Sequence, residues 1–149
     1  MPDRYFEEFE VGQRLTTRGR TVTETDIVNF AGVSSDFFPL HMDQEYAAKT
    51  RFGQRIAHGF LVLSMASGMV PADPERVEGL YGLDRVRFIK PVFIGDTIHV
   101  EMEVLSLQER PDASGVVEFK QSIINQRGEL VIVNSYRLLM RKRPSEKDA

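Results

Sequence analysis

Fifteen residues constrain this chain more than any others: Ile56-Ala57-His58-Gly59-Phe60-Leu61-Val62-Leu63-Ser64-Met65-Ala66-Ser67-Gly68-Met69-Val70, stopped by Pro71. Wound into a helix, the run is apolar around nearly its whole circumference. A helix with no polar face to offer water must be covered on all sides by something larger. Its Leu and Met content favours helix, with Val62 and Gly68 pulling weakly the other way. It falls short of the roughly 20 residues a membrane span requires, so the cover has to come from the rest of the chain.

The second half of the sequence supplies that cover. Leu80 to Ile89, Thr97 to Leu107, Val116 to Asn125 and Leu130 to Met140 are rich in β-branched and aromatic residues. Ile98, Val100, Met102 and Val104 alternate with His99, Glu101 and Glu103, the period-two pattern of a half-buried strand. Pro111-Asp112-Ala113-Ser114-Gly115 and Asn125-Gln126-Arg127-Gly128 punctuate the last three segments, which predicts an antiparallel meander. Apolar residues fall on both faces of the final strands, at Ile123, Ile124, Val131, Ile132 and Val133. That pattern predicts pairing with a second copy, sheet to sheet or edge to edge, and hence a homodimer or a larger assembly of dimers.

Upstream, Arg14 to Val22 reads as a further strand. Thr23 then serves as a helix N-cap with Asp26 three positions on, and Val22 and Ile27 are placed to staple the entry. Gly32 and Ser34-Ser35 end that helix, Asp43 opens a second short one, and Phe52-Gly53-Gln54-Arg55 makes a turn. About five strands around one buried helix give an α+β class, a curved antiparallel sheet wrapped around the helix. Residues 1–141 form one domain, and 142–149 are expected to be a charged, frayed tail.

Charge and composition exclude several functions. The net charge of −3 is the wrong sign for a nucleic-acid binder. With no cysteine, the chain has no disulfide, no thiolate nucleophile and no Cys-based metal site. The opening MPDRYFEEFEVGQ is acidic and lacks the apolar core of a secretory leader, so a cytoplasmic, soluble protein is expected.

Chemistry concentrates in Ser34-Ser35-Asp36-Phe37-Phe38-Pro39-Leu40-His41-Met42-Asp43. Taken alone, Asp36 is a turn residue and His41 a loop histidine bonded to backbone. Together with Ile56-Ala57-His58-Gly59-Phe60 at the start of the buried helix and Lys90-Pro91-Val92-Phe93-Ile94-Gly95-Asp96 before the meander, the stretch resembles the MaoC-like hydratase family. These are hot-dog-fold proteins similar to (R)-specific enoyl-CoA hydratases, and the three motifs stand in the family's order and spacing over nearly the whole chain.

The resemblance implies reversible addition of water across the double bond of a 2-enoyl thioester carried on coenzyme A or acyl carrier protein. Asp36 and His41 match the family's catalytic pair, Gly59 the backbone donor to the thioester oxygen, and Ser67 a supporting helix serine. The chemistry asks for the same parts. Water is a weak nucleophile and needs a base, and the developing oxyanion needs fixed donors such as a helix N-terminus.

Ser67 could equally be bonded back to the preceding turn, with Ser64 as its substitute. His58 reads as a core or pocket-rim histidine in contact with substrate rather than a catalytic one, and His99 as a solvated one. No metal or other cofactor is expected, because Asp36, His41 and His58 have no recognised ligand spacing. Arg85, Arg87 and Lys90 could meet phosphates, although solvated charges are the plainer reading for at least two of them.

One departure stands out. The family places Asn before the proline, and here the residue is Phe38, whose side chain can neither donate nor accept a hydrogen bond. Phe38 and its neighbour Phe37 are therefore candidates for an apolar wall that selects a branched or larger acyl group. Phe38 also leaves open a non-catalytic subunit that completes a heteromer, and the fold alone leaves open a thioesterase.

Overall fold

The computed structural model describes residues 3–144. In chain order the elements are β1 (Arg14–Thr16), β2 (Arg20–Thr21), α1 (Glu24–Ser34), α2 (Pro39–Met42), α3 (Gln44–Ala48), α4 (Gly59–Met69), β3 (Val77–Phe88), β4 (Thr97–Glu109), β5 (Ser114–Asn125) and β6 (Leu130–Arg141). One antiparallel sheet runs β1-β4-β5-β6-β3, with β2 also on β4. The meander β4–β5–β6 pairs as its turn residues dictate, Val100 opposite Ile123 and Ile123 opposite Ile132.

The expected strand from Arg14 to Val22 is broken into β1 and β2, both paired with β4. Its interruption has a local cause. The Thr17 hydroxyl accepts from the Val100 N–H at 3.0 Å where a backbone carbonyl would otherwise serve, and the Thr17 N–H returns to the Val100 carbonyl at 2.9 Å. Thr23 caps α1 as anticipated, with a reciprocal bond to Asp26, and Val22 and Ile27 are buried beside it.

Helix α4 packs against one face of the sheet. Leu61, Val62, Met65 and Ala66 join Val100, Phe119, Ile123, Ile132 and Leu138 in a single core. Each large side chain so buried contributes about 1.5–3 kcal/mol relative to exposure, so this contact dominates the fold. Two expectations are corrected here. The helix begins at Gly59, because Ile56 bridges to Phe93 and the Ala57 N–H donates to the Val92 carbonyl at 2.8 Å, which keeps both residues extended. It is not covered on all sides either: Phe60, Ser64, Ser67 and Gly68 face outward, Phe60 with 72% of its surface exposed.

Of the apolar residues of the final strands, Ile123, Val131 and Ile132 are buried in the chain's own core, while Ile124 and Val133 are half-buried. A row of exposed apolar residues lies on β3. Among the described residues this strand is paired only with β6, and Leu80, Tyr81, Leu83 and Phe88 are exposed along it. Register shifts interrupt β3 three times, the last beside Arg85, whose φ is +53°.

The expected fraying at residue 142 does not begin there. Lys142 donates its N–H to the Ala113 carbonyl at 2.9 Å and its Nζ to the Arg110 carbonyl at 2.8 Å, and Arg143 pairs with Glu8. The remainder of the tail, 145–149, lies outside the described residues. No described helix is long and apolar enough to cross a membrane.

Candidate active site

The loop after α1 is shaped by a chain of local bonds. Ser35 adopts a left-handed conformation with φ of 62° and ends the helix. The Asp36 N–H donates to Ser34 Oγ at 3.2 Å, and the Phe38 N–H donates to Asp36 Oδ1 at 3.2 Å. This is an Asx turn, one of the few ways a carboxylate can fix its own loop. Pro39 then starts the helical turn α2 rather than extending the loop, because its fixed φ suits a first helical position. His41 sits in that turn and points back toward the start of α4.

His41 and His58 meet there. Their rings stack with centroids 3.9 Å apart and planes 29° from parallel. His41 Nδ1–H donates to the Ile56 carbonyl at 2.8 Å, which leaves its Nε2 as an acceptor. His58 Nε2–H donates to the main-chain carbonyl of Asp36 at 2.9 Å, and its buried Nδ1 has no partner among the described residues. One ligand-type atom from each of Asp36, His41 and His58 lies within 4.8 Å of the others. Burial holds the His41 imidazolium below its ordinary pKa, and the neighbouring His58 pushes the same way, against the Ile56 carbonyl and Asp36. His41 is therefore neutral at pH 7, the form that accepts a proton.

A cavity of about 330 Å³ opens beside this group. His41, Ile56, Gly59, Phe60, Phe88 and Val92 are among its lining, with Arg51 and Lys90 also present. Gly59 begins α4, whose N-cap residue makes no side-chain cap. The first N–H groups of a helix have no intrahelical partner, so they are free to bind an oxygen. A larger residue would be crowded at this point: a Cβ would come within 2.4 Å of the Phe88 ring, which would have to shift.

Several predicted residues are placed differently from the pair. His58 is 2% exposed and belongs to the core behind His41 rather than to the pocket rim. Phe37 and Phe38 are largely exposed and outside the cavity lining, with the Phe38 ring edge-on to His41 at 6.1 Å and to Tyr46 at 6.3 Å. Ser67 shares a second groove with Gln121 and bonds Tyr136 Oη at 3.2 Å, whereas Ser64 is bonded back to the Phe60 carbonyl. His99 is half-exposed beside Glu101.

Lys90 bonds Glu129, and Arg87 turns to its neighbour's carbonyl. Asp96 is structural. Burial raises its carboxyl pKa, but bonds from Gln126, the Phe93 N–H and Arg127 outweigh this and hold it below the usual range. Sequence reasoning missed Phe60 and Phe88 as walls and Arg51 as a cation at the cavity. The signal for Phe88 was its position just before Lys90-Pro91, where the strand must pass the glycine of α4.

Comparisons with known proteins agree with this architecture. The MaoC like domain family matches residues 7–126. The chain is 48% identical over 100 residues to the protein MaoC of Klebsiella aerogenes, covering 66% of this chain and 30% of that one. It is 36% identical over 103 residues to an (R)-specific enoyl-CoA hydratase of Aeromonas caviae, covering 69% of this chain and 76% of the relative. A crystal structure described as a monoamine oxidase regulatory protein of Archaeoglobus fulgius superposes with a TM-score of 0.89 at 49% identity, over 95% of this chain and 96% of that one. At the level of fold alone, a double-hotdog protein of Mycobacterium tuberculosis gives a TM-score of 0.86 at 22% identity, over 98% of this chain and 46% of that one. The hot-dog fold expected from the sequence is thus the one observed.

Proposed function

Because this chain belongs to the MaoC-like domain family, whose members include proteins named as hydratases and dehydratases, we propose that it is a hydro-lyase acting on 2-enoyl thioesters. The observation that carries the reading is the convergence of the Asp36 carboxylate and the His41 ring beside the cavity that holds Gly59. A water between Asp36 and His41 Nε2 is oriented by both and loses a proton to one of them, with Asp36 the principal base. Its oxygen bonds to the β-carbon, and the double-bond electrons move through the α-carbon to the thioester oxygen. The N–H of Gly59 and the α4 dipole stabilise that oxygen. The proton then passes to the α-carbon from the same face, and the reverse sequence dehydrates a 3-hydroxyacyl thioester.

These steps call for no metal and no redox cofactor. Coenzyme A or acyl carrier protein would carry the acyl group, with Arg51 and Lys90 at the cavity for a phosphate. The unpartnered, apolar edge of β3 is where a second copy of the chain would add, giving a dimer.

Two observations favour a second reading, a non-catalytic subunit of a heteromer: the Phe38 side chain offers the pair no hydrogen bond, and Asp36 is exposed in the single chain. Purified protein alone, assayed for crotonyl-CoA hydration and for release of free thiol, separates the two and a thioesterase from both. Hydration without thiol release is expected. Thiol release would identify a thioesterase, and inactivity toward a panel of short, long and branched enoyl thioesters would favour the subunit.

A further inference from the structure

We infer that His58 is a positioning residue that sets the mutual register of Asp36, His41 and Gly59; the inference rests on the hydratase reading above. His58 touches all three parts of the site by different means. Its backbone immediately precedes Gly59, so it is rigidly attached to the end of α4 that binds the thioester oxygen. Its Nε2–H holds the main-chain carbonyl of Asp36 at 2.9 Å, tying the carboxylate's loop to the helix from 22 residues away. Its ring face lies against His41 at 3.9 Å, while the Ile56 carbonyl holds the edge of the same His41 ring. A ring fixed on one face and one edge has little freedom left, and its Nε2 is aimed in one direction. Such fixing by a buried neighbour is how a reactive geometry is kept within a fraction of an ångström.

Simple packing does not account for a histidine here. The residue is 2% exposed and leaves Nδ1 buried without a partner among the described residues, a cost that an apolar residue of similar size would avoid. What only the imidazole provides is a donor at Nε2 together with a flat face. Phe30 closes the site from α1, edge-on to the His58 ring at 5.0 Å, so the ring cannot slide away from His41. The titratable and charged groups around His41 are Asp36 and His58, with Arg51 and Lys90 lining the cavity. Two imidazolium ions stacked at this distance would repel, so His58 also helps to keep His41 in its accepting form.

Two substitutions separate the roles. His58→Phe keeps a flat ring and removes the donor. His58→Gln keeps a donor at similar reach and removes the stacked ring. With crotonyl-CoA, His58→Phe should lower kcat about 30-fold with KM within about twofold, and His58→Gln should recover kcat to within about fivefold of wild type. In the ligand-free protein, the His41 titration followed by imidazole NMR should move to higher pH in both variants, and further in His58→Gln, which also uncovers the His41 ring. Two folded variants with wild-type kcat and an unmoved His41 titration would overturn the inference. So would losses that track melting temperature alone.

If neither variant folds, the wild-type imidazole spectrum decides: His58 protonated at Nε2 and His41 at Nδ1 support the inference, and either opposite tautomer overturns it. Failure of the hydratase reading looks different. The wild-type protein would then be inactive on every enoyl thioester, while the NMR arm would still report whether His58 orders His41.

Discussion

The β4–β6 meander and the segment from Ser34 to Gly59 are held in opposite ways. In the meander, the strands are paired along most of their length and backed by a shared core that includes Val100, Phe119 and Ile132. In the segment, shape depends on a few individual bonds from side chain to main chain: Asp36 to Phe38, His41 to Ile56, His58 to Asp36. The first region is redundant and sets stability. The second is sparse and sets geometry, so damage to it should appear in chemistry before it appears in melting.

The largest effect on stability should come from the meander. Phe119→Ala removes a fully buried ring at the centre of the sheet, in edge contact with Phe9 at 5.9 Å. It should cost about 3–5 kcal/mol in denaturant unfolding while leaving turnover per folded molecule nearly unchanged. An equal loss of turnover would show that the two regions are not separable.

A middle-sized effect tests where the regions touch. Gly59→Ala drives a methyl group into the Phe88 ring and should cost about 1–3 kcal/mol. Adding Phe88→Ala should restore most of that loss, because the Phe88 ring is half-exposed and contributes little burial of its own. Additive losses in the double variant would argue against a simple close approach.

The smallest effect is in pH. Burial lowers the His41 pKa below 6.5, so its neutral form persists as pH falls through 6.5. The unfolded chain binds that proton first, so His41 contributes stability above 6.5 that is lost as pH falls through its folded value. In a titration of kcat/KM the His41 limb should therefore lie below 6.5, and a limb above 6.5 would contradict the burial argument.

The two regions also differed in how well the sequence could be read. The four long strands were legible to within three residues at their ends, because period-two alternation and turn residues are local signals. The break at Thr17 was not, since it depends on a hydroxyl meeting the Val100 N–H of a strand more than 80 residues away. All-round apolarity marked α4 as central but could not show that Phe60, Ser64 and Ser67 face outward, because solvent exposure is settled by neighbouring elements.

In the site, Asp36, His41 and Gly59 came from motif resemblance. The stacked His58 could not be foreseen, because nothing local distinguishes a core histidine from one aimed at a carbonyl 22 residues away. Phe37 and Phe38 were read as pocket walls from their chemistry, and only the fold reveals that their rings lie outside the cavity lining.

The central claim is that Asp36 and His41 hold one water for addition to an enoyl thioester. Crotonyl-CoA hydration by Asp36→Ala and by His41→Ala, each confirmed as folded by circular dichroism and melting temperature, tests it most directly. Each variant should retain the fold and lose about 10²–10⁴-fold in kcat, the usual contribution of a positioned acid or base. A folded Asp36→Ala protein with wild-type hydration would contradict the account.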